Sequence, residues 1–89
     1  MLFEYDPAKS AANKAKHGID FAEAQALWAD DQLVEAMSKA SVTDELRFLA
    51  IGRISGRHWT AIWTLRGEVV RIISVRRARK EEIEYYEGT

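Results

Sequence analysis

Two groups of residues have types and spacings that could do chemistry. The first is in the stretch Pro7 to His17, where helical periodicity gathers Lys9, Asn13, Lys16 and His17 on one side, opposite Ala8, Ala11, Ala12 and Ala15. A histidine side chain ordinarily changes charge near neutrality, so His17, beside an ammonium and an amide, is a candidate to take or give a proton. A second reading stands next to this one: a histidine at a helix end can simply bond the last carbonyls and favour the helix dipole. The second group is cationic. Between Leu46 and Lys80 there are nine basic residues (Arg47, Arg53, Arg57, Arg66, Arg71, Arg76, Arg77, Arg79, Lys80) against one acid, Glu68, a segment net of +8 that leaves −9 for the rest of the chain. Eight of the nine are arginine, whose planar fork grips phosphate oxygens with two parallel donors. The reading drawn from this is a cationic, phosphate-binding half; the alternative is an arginine-rich surface paired to local acids.

Other chemistries find no residues to support them. There is no cysteine, which removes disulfides, thiolate metal sites and a cysteine nucleophile and fits a reducing, cytoplasmic setting. His17 and His58 lie far apart without ligand-spaced companions, so the expected metal set is none. No phosphate-binding glycine loop is present, and the expected cofactor is none. No apolar run approaches a membrane span, and the opening MLFEYDPAKS has no signal-peptide core, so no membrane partner is expected.

At 89 residues the chain has room for one modest core, hence a single domain over 1–89. Leu2 to Tyr5 reads as a short strand, then Asp6 and Pro7 as a capping carboxylate and a first-position proline. A first helix runs from Pro7 to about His17, stopped at Gly18. Asp20 and Glu23 form a capping-box pattern for a second helix with Phe21, Ala24, Leu27 and Trp28 on its buried face. Strands follow at Leu33 to Met37, Leu46 to Ile54, Trp59 to Leu65 and Val69 to Val75. Ser38 to Asp44 reads as a polar loop, Ser55-Gly56 and Arg66-Gly67 as hairpin turns, and Ala78 to Tyr86 as a closing helix. In that helix Arg79 and Lys80 precede Glu81, Glu82, Glu84 and Glu87, an order that opposes the helix dipole. The fold class is α+β, βααββββα: two N-terminal helices on an antiparallel sheet of four to five strands, with a C-terminal helix. Trp28, Trp59 and Trp63 have the spacing of core residues, and Lys14 and Lys39 read as surface.

Two segments, FEYDPAKSAANKAKHGIDFAEAQALWAD and RIISVRRARKEEIEYYE, resemble the BrnT toxin family in its aromatic-Asp-Pro opening, its Lys-His-Gly and Phe spacing, and its Arg-Ile-Ile-Ser and acidic tail. Asp44, Arg47 and Gly52 agree in order between them, and the likeness runs from Phe3 to Tyr86. Tyr5, where tryptophan is commoner, and Val75, where a small residue is commoner, depart from the pattern. The resemblance implies a RelE-like fold, ribonuclease activity that arrests translation, and neutralisation by a DNA-binding BrnA-type ribbon-helix-helix antitoxin, with operator DNA bound only through that partner.

Cutting RNA without a metal requires a deprotonated 2′-hydroxyl, a protonated leaving oxygen and a stabilised phosphorane. The candidate catalytic residues are Lys9 and His17 for proton transfer and Arg71 and Arg76 for charge stabilisation. Asn13, Arg47, Ser74, Arg77, Arg79 and Tyr85 are candidate substrate contacts, with Glu81, Glu82 and Tyr86 as further proton-transfer or stacking groups. Strict alternation puts Val70, Ile72, Ser74 and Arg76 on one face of the last strand and Val69, Arg71, Ile73 and Val75 on the other, so in a regular strand the two arginines diverge. A competing function is a non-catalytic module that uses its arginines and sheet edge to hold a protein or nucleic acid.

Overall fold

The computed structural model describes residues 1–38 and 45–88. Strand β1 (Leu2–Glu4) leads into α1 (Pro7–His17) and α2 (Phe21–Ala24), which tightens into a 3₁₀ turn (Gln25–Ala29). Four strands follow, β2 (Val34–Met37), β3 (Phe48–Ile54), β4 (Arg57–Arg66) and β5 (Val69–Arg77), and α3 (Lys80–Glu87) comes last. The element order is the expected one. The expected loop from Ser38 to Asp44, with Lys39, lies outside the described residues apart from Ser38.

Local chemistry explains the starts. Asp6 accepts from the Ala8 amide at 2.8 Å ahead of Pro7, and Asp20 and Glu23 form the reciprocal capping box at α2. At the first hairpin Ser55 and Gly56 both have positive φ, 51° and 82°, the twist that matches a two-residue connection. The second turn is Gly67-Glu68, one residue later than expected, because Arg66 still pairs with Val69.

The sheet order is β1-β5-β4-β3-β2. β2 to β5 are antiparallel as expected, but β1 departs from that pattern by pairing parallel with β5, Phe3 opposite Val70. Parallel neighbours need a crossover rather than a hairpin, and here nearly the whole chain separates the pair. One face of the sheet carries Trp59, Ala61, Trp63, Val70, Ile72 and Val75 and packs against Ile19, Phe21, Ala24 and Leu27 in one core. The tryptophans behave as expected: Trp59 and Trp63 are buried and Trp28 stands edge-on between Phe3 and Trp63.

Helix α1 turns polar residues, not alanines, toward the rest of the fold. Ala8, Ala11, Ala12 and Ala15 are exposed, whereas Ser10 and Asn13 are buried. The polar residues go inward because each has a backbone partner waiting. Ser10 Oγ accepts from the Phe21 amide at 2.9 Å; Asn13 donates to the Ile19 and Val75 carbonyls at 2.8 and 2.9 Å and accepts from the Val75 amide at 3.2 Å. β1 stops opposite Arg71, and the Asn13 amide continues its role along the outer edge of β5.

Candidate active site

The geometry of the site turns on one residue of β5. Ile62 pairs with Ser74 and Trp63 with Ile72, so Ile73 has no opposite number and forms a bulge. The extra residue resets the alternation. Arg71 stands opposite Thr64, Ser74 opposite Ile62 and Arg76 opposite Thr60, all on the face away from the main core, while Val70, Ile72, Val75 and Arg77 share the core face. The expectation that Arg71 and Arg76 diverge is therefore overturned, because it assumed an uninterrupted strand.

Helix α3 covers one end of this second face through polar pins. Arg76 donates both terminal nitrogens to Glu82, Nη1 to Oε1 at 2.7 Å and Nη2 to Oε2 at 2.8 Å. Thr60 Oγ1 at 2.9 Å and the Arg79 amide at 2.8 Å also donate to Glu82 Oε1. Burial alone would raise the Glu82 pKa, but the bonds from Arg76, Arg79 and Thr60 overcome it and hold the carboxyl at about 2. Farther along, the Tyr86 hydroxyl donates to Asp30 Oδ2 at 2.7 Å and His58 Nε2 meets Glu87 at 2.6 Å. Because α3 begins at Lys80, Glu81 and Glu82 fall in its first turn and favour its dipole, which removes part of the expected opposition; Lys80 at its start and Glu84 and Glu87 toward its end still oppose the dipole.

Between the start of α3 and the sheet lies a cleft of about 550 Å³, with Leu49 and Ile62 on its floor and Arg76, Arg79, Glu81 and Glu82 along its wall. Ser74 neighbours Ile62 there and makes no side-chain hydrogen bond among the described residues. Arg71 is tied to Glu4 at 2.7 Å. Arg47 lies just before β3, with its Nε 3.6 Å from Glu45. A depression of similar size, about 520 Å³, lies at Leu46, Phe48 and Leu65 and is mainly apolar.

Other expected residues stand elsewhere. Lys9 is exposed and His17 half-buried on α1, and neither lines the cleft. Asn13 is no substrate contact, because both its polar atoms are committed to backbone. Arg77 projects from the core face with its guanidinium 5.4 Å from the centre of the Trp59 ring, which takes it out of the cleft set. Tyr85 is exposed on α3, and Tyr86 is buried. The single cationic half is also corrected: Arg47 and Arg66 return to Glu45, Arg71 to Glu4 and Arg76 to Glu82, so acids from outside the basic segment neutralise much of it in space.

Sequence reasoning weighed Glu82 only for proton transfer and missed Thr60. Glu82 three residues after Arg79, a capping-box spacing, was the available signal; for Thr60 there was none.

A family model for the ribonuclease toxin BrnT of type II toxin-antitoxin systems matches residues 5–82. The chain belongs to the BrnT family. No curated protein sequence matches it significantly. BrnT membership makes the chain one of a ribonuclease toxin family whose systems include an antitoxin, and the three helices and five-stranded mixed sheet of the described residues are consistent with the α+β arrangement of a RelE-like toxin. The match includes Arg71, Ser74, Arg76 and Glu82 and stops before Tyr85 and Tyr86. No helix among the described residues is long and apolar enough to cross a membrane.

Proposed function

We propose that this BrnT chain is a metal-independent endoribonuclease that arrests translation, acting on RNA laid across the part of the second sheet face that α3 leaves open. The observation that carries the reading is the Ile73 bulge, which sets Arg71, Ser74 and Arg76 on that face beside the cleft. The two arginines are spaced roughly 13 Å apart along the strand at ~3.3 Å per residue pair-row, one at the cleft and one beyond it. In this reading Arg76 stabilises the phosphorane, Arg71 holds a neighbouring phosphate, and Ser74 donates a hydrogen bond between them. Arg79 and Arg47 contact phosphates at the rim, and exposed Tyr85 offers a ring on which a base stacks. Lys9 and His17, on α1 outside the cleft, serve proton transfer in this reading only where the RNA extends past the outer edge of β5 to α1. Among the described residues no three His, Asp or Glu stand together as ligands, and the metal independence of the cleavage is part of the proposal.

The partner in this reading is a BrnA-type ribbon-helix-helix antitoxin that covers the cleft, with operator DNA bound only through it, in the cytoplasm. Induced expression in bacteria tests the proposal, with growth, translation and RNA integrity followed for wild type, Arg76→Ala and His17→Ala, each with and without the antitoxin. Growth arrest with RNA cutting, relieved by the antitoxin and by Arg76→Ala, is the expected result. A folded wild-type protein that neither cuts RNA nor slows growth returns the chain to a binding module, and a His17→Ala protein that still cuts leaves His17 as a helix-end residue only.

A further inference from the structure

The Arg76–Glu82 contact uses a particular part of the guanidinium. Nη1 and Nη2 point end-on at the two carboxylate oxygens, 2.7 and 2.8 Å away, and Nη1 also reaches the Arg77 carbonyl at 3.3 Å. A guanidinium carries five N–H donors in a fixed plane, so these three bonds leave two: Nε–H and the second hydrogen of Nη2. Those two lie side by side along one flank of the plane, the paired geometry that matches two oxygens of a phosphate. Glu82 is itself held from several sides. Three donors, Arg76 Nη1, Thr60 Oγ1 and the Arg79 amide, converge on its Oε1, while Oε2 accepts from Arg76 Nη2 alone.

We propose that Glu82, backed by Thr60, is a positioning residue: it clamps the end of Arg76 so that the free flank of the guanidinium is presented to a phosphate of RNA in the cleft. The inference rests on the ribonuclease reading above and adds the way its principal cation is aimed. It differs from two other roles for Glu82. A carboxylate that already accepts from four donors is a weak general base, and a plug that competes with phosphate for Arg76 would occupy the flank rather than the end.

The roles differ in sign, which makes them separable by binding. The probe is a random-sequence pool of short RNA oligonucleotides methylated at every 2′-oxygen, which cannot be cut through that hydroxyl. Its Kd is measured for wild type, Glu82→Gln, Arg76→Ala and the double variant, with circular dichroism confirming the fold of each. Removing a negative charge beside a polyanion should by itself tighten binding. The clamp predicts the opposite: Glu82→Gln weakens binding by about tenfold, the scale of one charge-assisted hydrogen bond, and adds nothing once Arg76 is alanine. Thr60→Val, which removes one donor to Glu82 without altering charge, should move Kd in the same direction by a smaller factor. Glu82→Gln binding that is tighter, unchanged, or equally weakened in the Arg76→Ala background overturns the inference. Wild-type protein that fails both to bind the pool and to cut unmodified RNA defeats the ribonuclease reading instead, so the two failures are distinguishable.

Discussion

Asn13 holds three backbone groups, one in the link between α1 and α2 and two in β5, with one amide, a heavy structural duty for a residue that the sequence places on a polar helix face. Buried donors and acceptors left without partners cost about 1–3 kcal/mol each. Asn13→Ala should therefore lose at least about 2 kcal/mol of folding free energy, measured by urea denaturation, and Asn13→Asp should not restore it, because the carboxylate cannot donate to the Val75 and Ile19 carbonyls. Arg76 is the contrasting case, since its Glu82 contact lies on the face of the sheet and two of its five donors remain unused. Arg76→Ala should lower RNA cleavage by about 10²- to 10³-fold, the scale of removing one preorganised donor to a developing oxyanion, in a single-turnover assay. Both residue types were visible in the sequence as polar. Which of them turned inward was not, because helical periodicity reports which residues share a side and not what waits opposite that side.

The bulge in β5 makes a prediction of its own at the level of the element. Deleting a residue from a regular strand inverts every side chain beyond it and exposes the core. Ile73 is the unpaired residue, so its removal leaves Ile72 opposite Trp63 and Ser74 opposite Ile62 as they are now. A chain lacking Ile73 should stay folded, within about 2 kcal/mol of wild type by denaturation, with Arg71 and Arg76 still on one face; inserting an alanine between Ser74 and Val75 should drive Val75 out of the core and unfold it. Helix α3 is the other element with a readable mechanism. It sits on the sheet through Glu82, Tyr86 and Glu87, and Tyr86→Phe removes one pin while leaving the ring buried. The strands, hairpins and both capping motifs were legible because each is a local signal of a few residues. The bulge was not, since nothing in the run Val69 to Arg77 says which residue β4 will leave unpaired.

For the molecule as a whole, the ionisable contacts set a window of stability. The Glu82 carboxyl sits at about 2 when folded and near its ordinary 4.5 when unfolded, so the folded state gains from its ionisation above the unfolded value and loses that gain as pH falls toward 2. Asp30 adds to this in the same direction: burial opposes ionisation, but bonds from the Arg53 and Gln32 amides and the Tyr86 hydroxyl hold it below its ordinary range. At the other end, burial and the bond to Asp30 push Tyr86 up to about 12, so its contribution is whole below pH 10 and fades as pH rises through 12. Urea midpoints should be flat near neutrality and fall on both sides, with Glu82→Gln flattening the acid limb by about 1–3 kcal/mol. Cleavage should survive chelation by EDTA if the proposed chemistry holds. By itself the sequence determined the α+β class, the element order, the core tryptophans and the BrnT likeness, all of which depend on local propensity or residue order. Only the tertiary structure decided that β1 joins parallel, that Arg71 and Arg76 share a face, and that Glu4 pairs with Arg71, because each of these depends on which residue of a neighbouring strand stands opposite, and local pattern carries no record of that pairing.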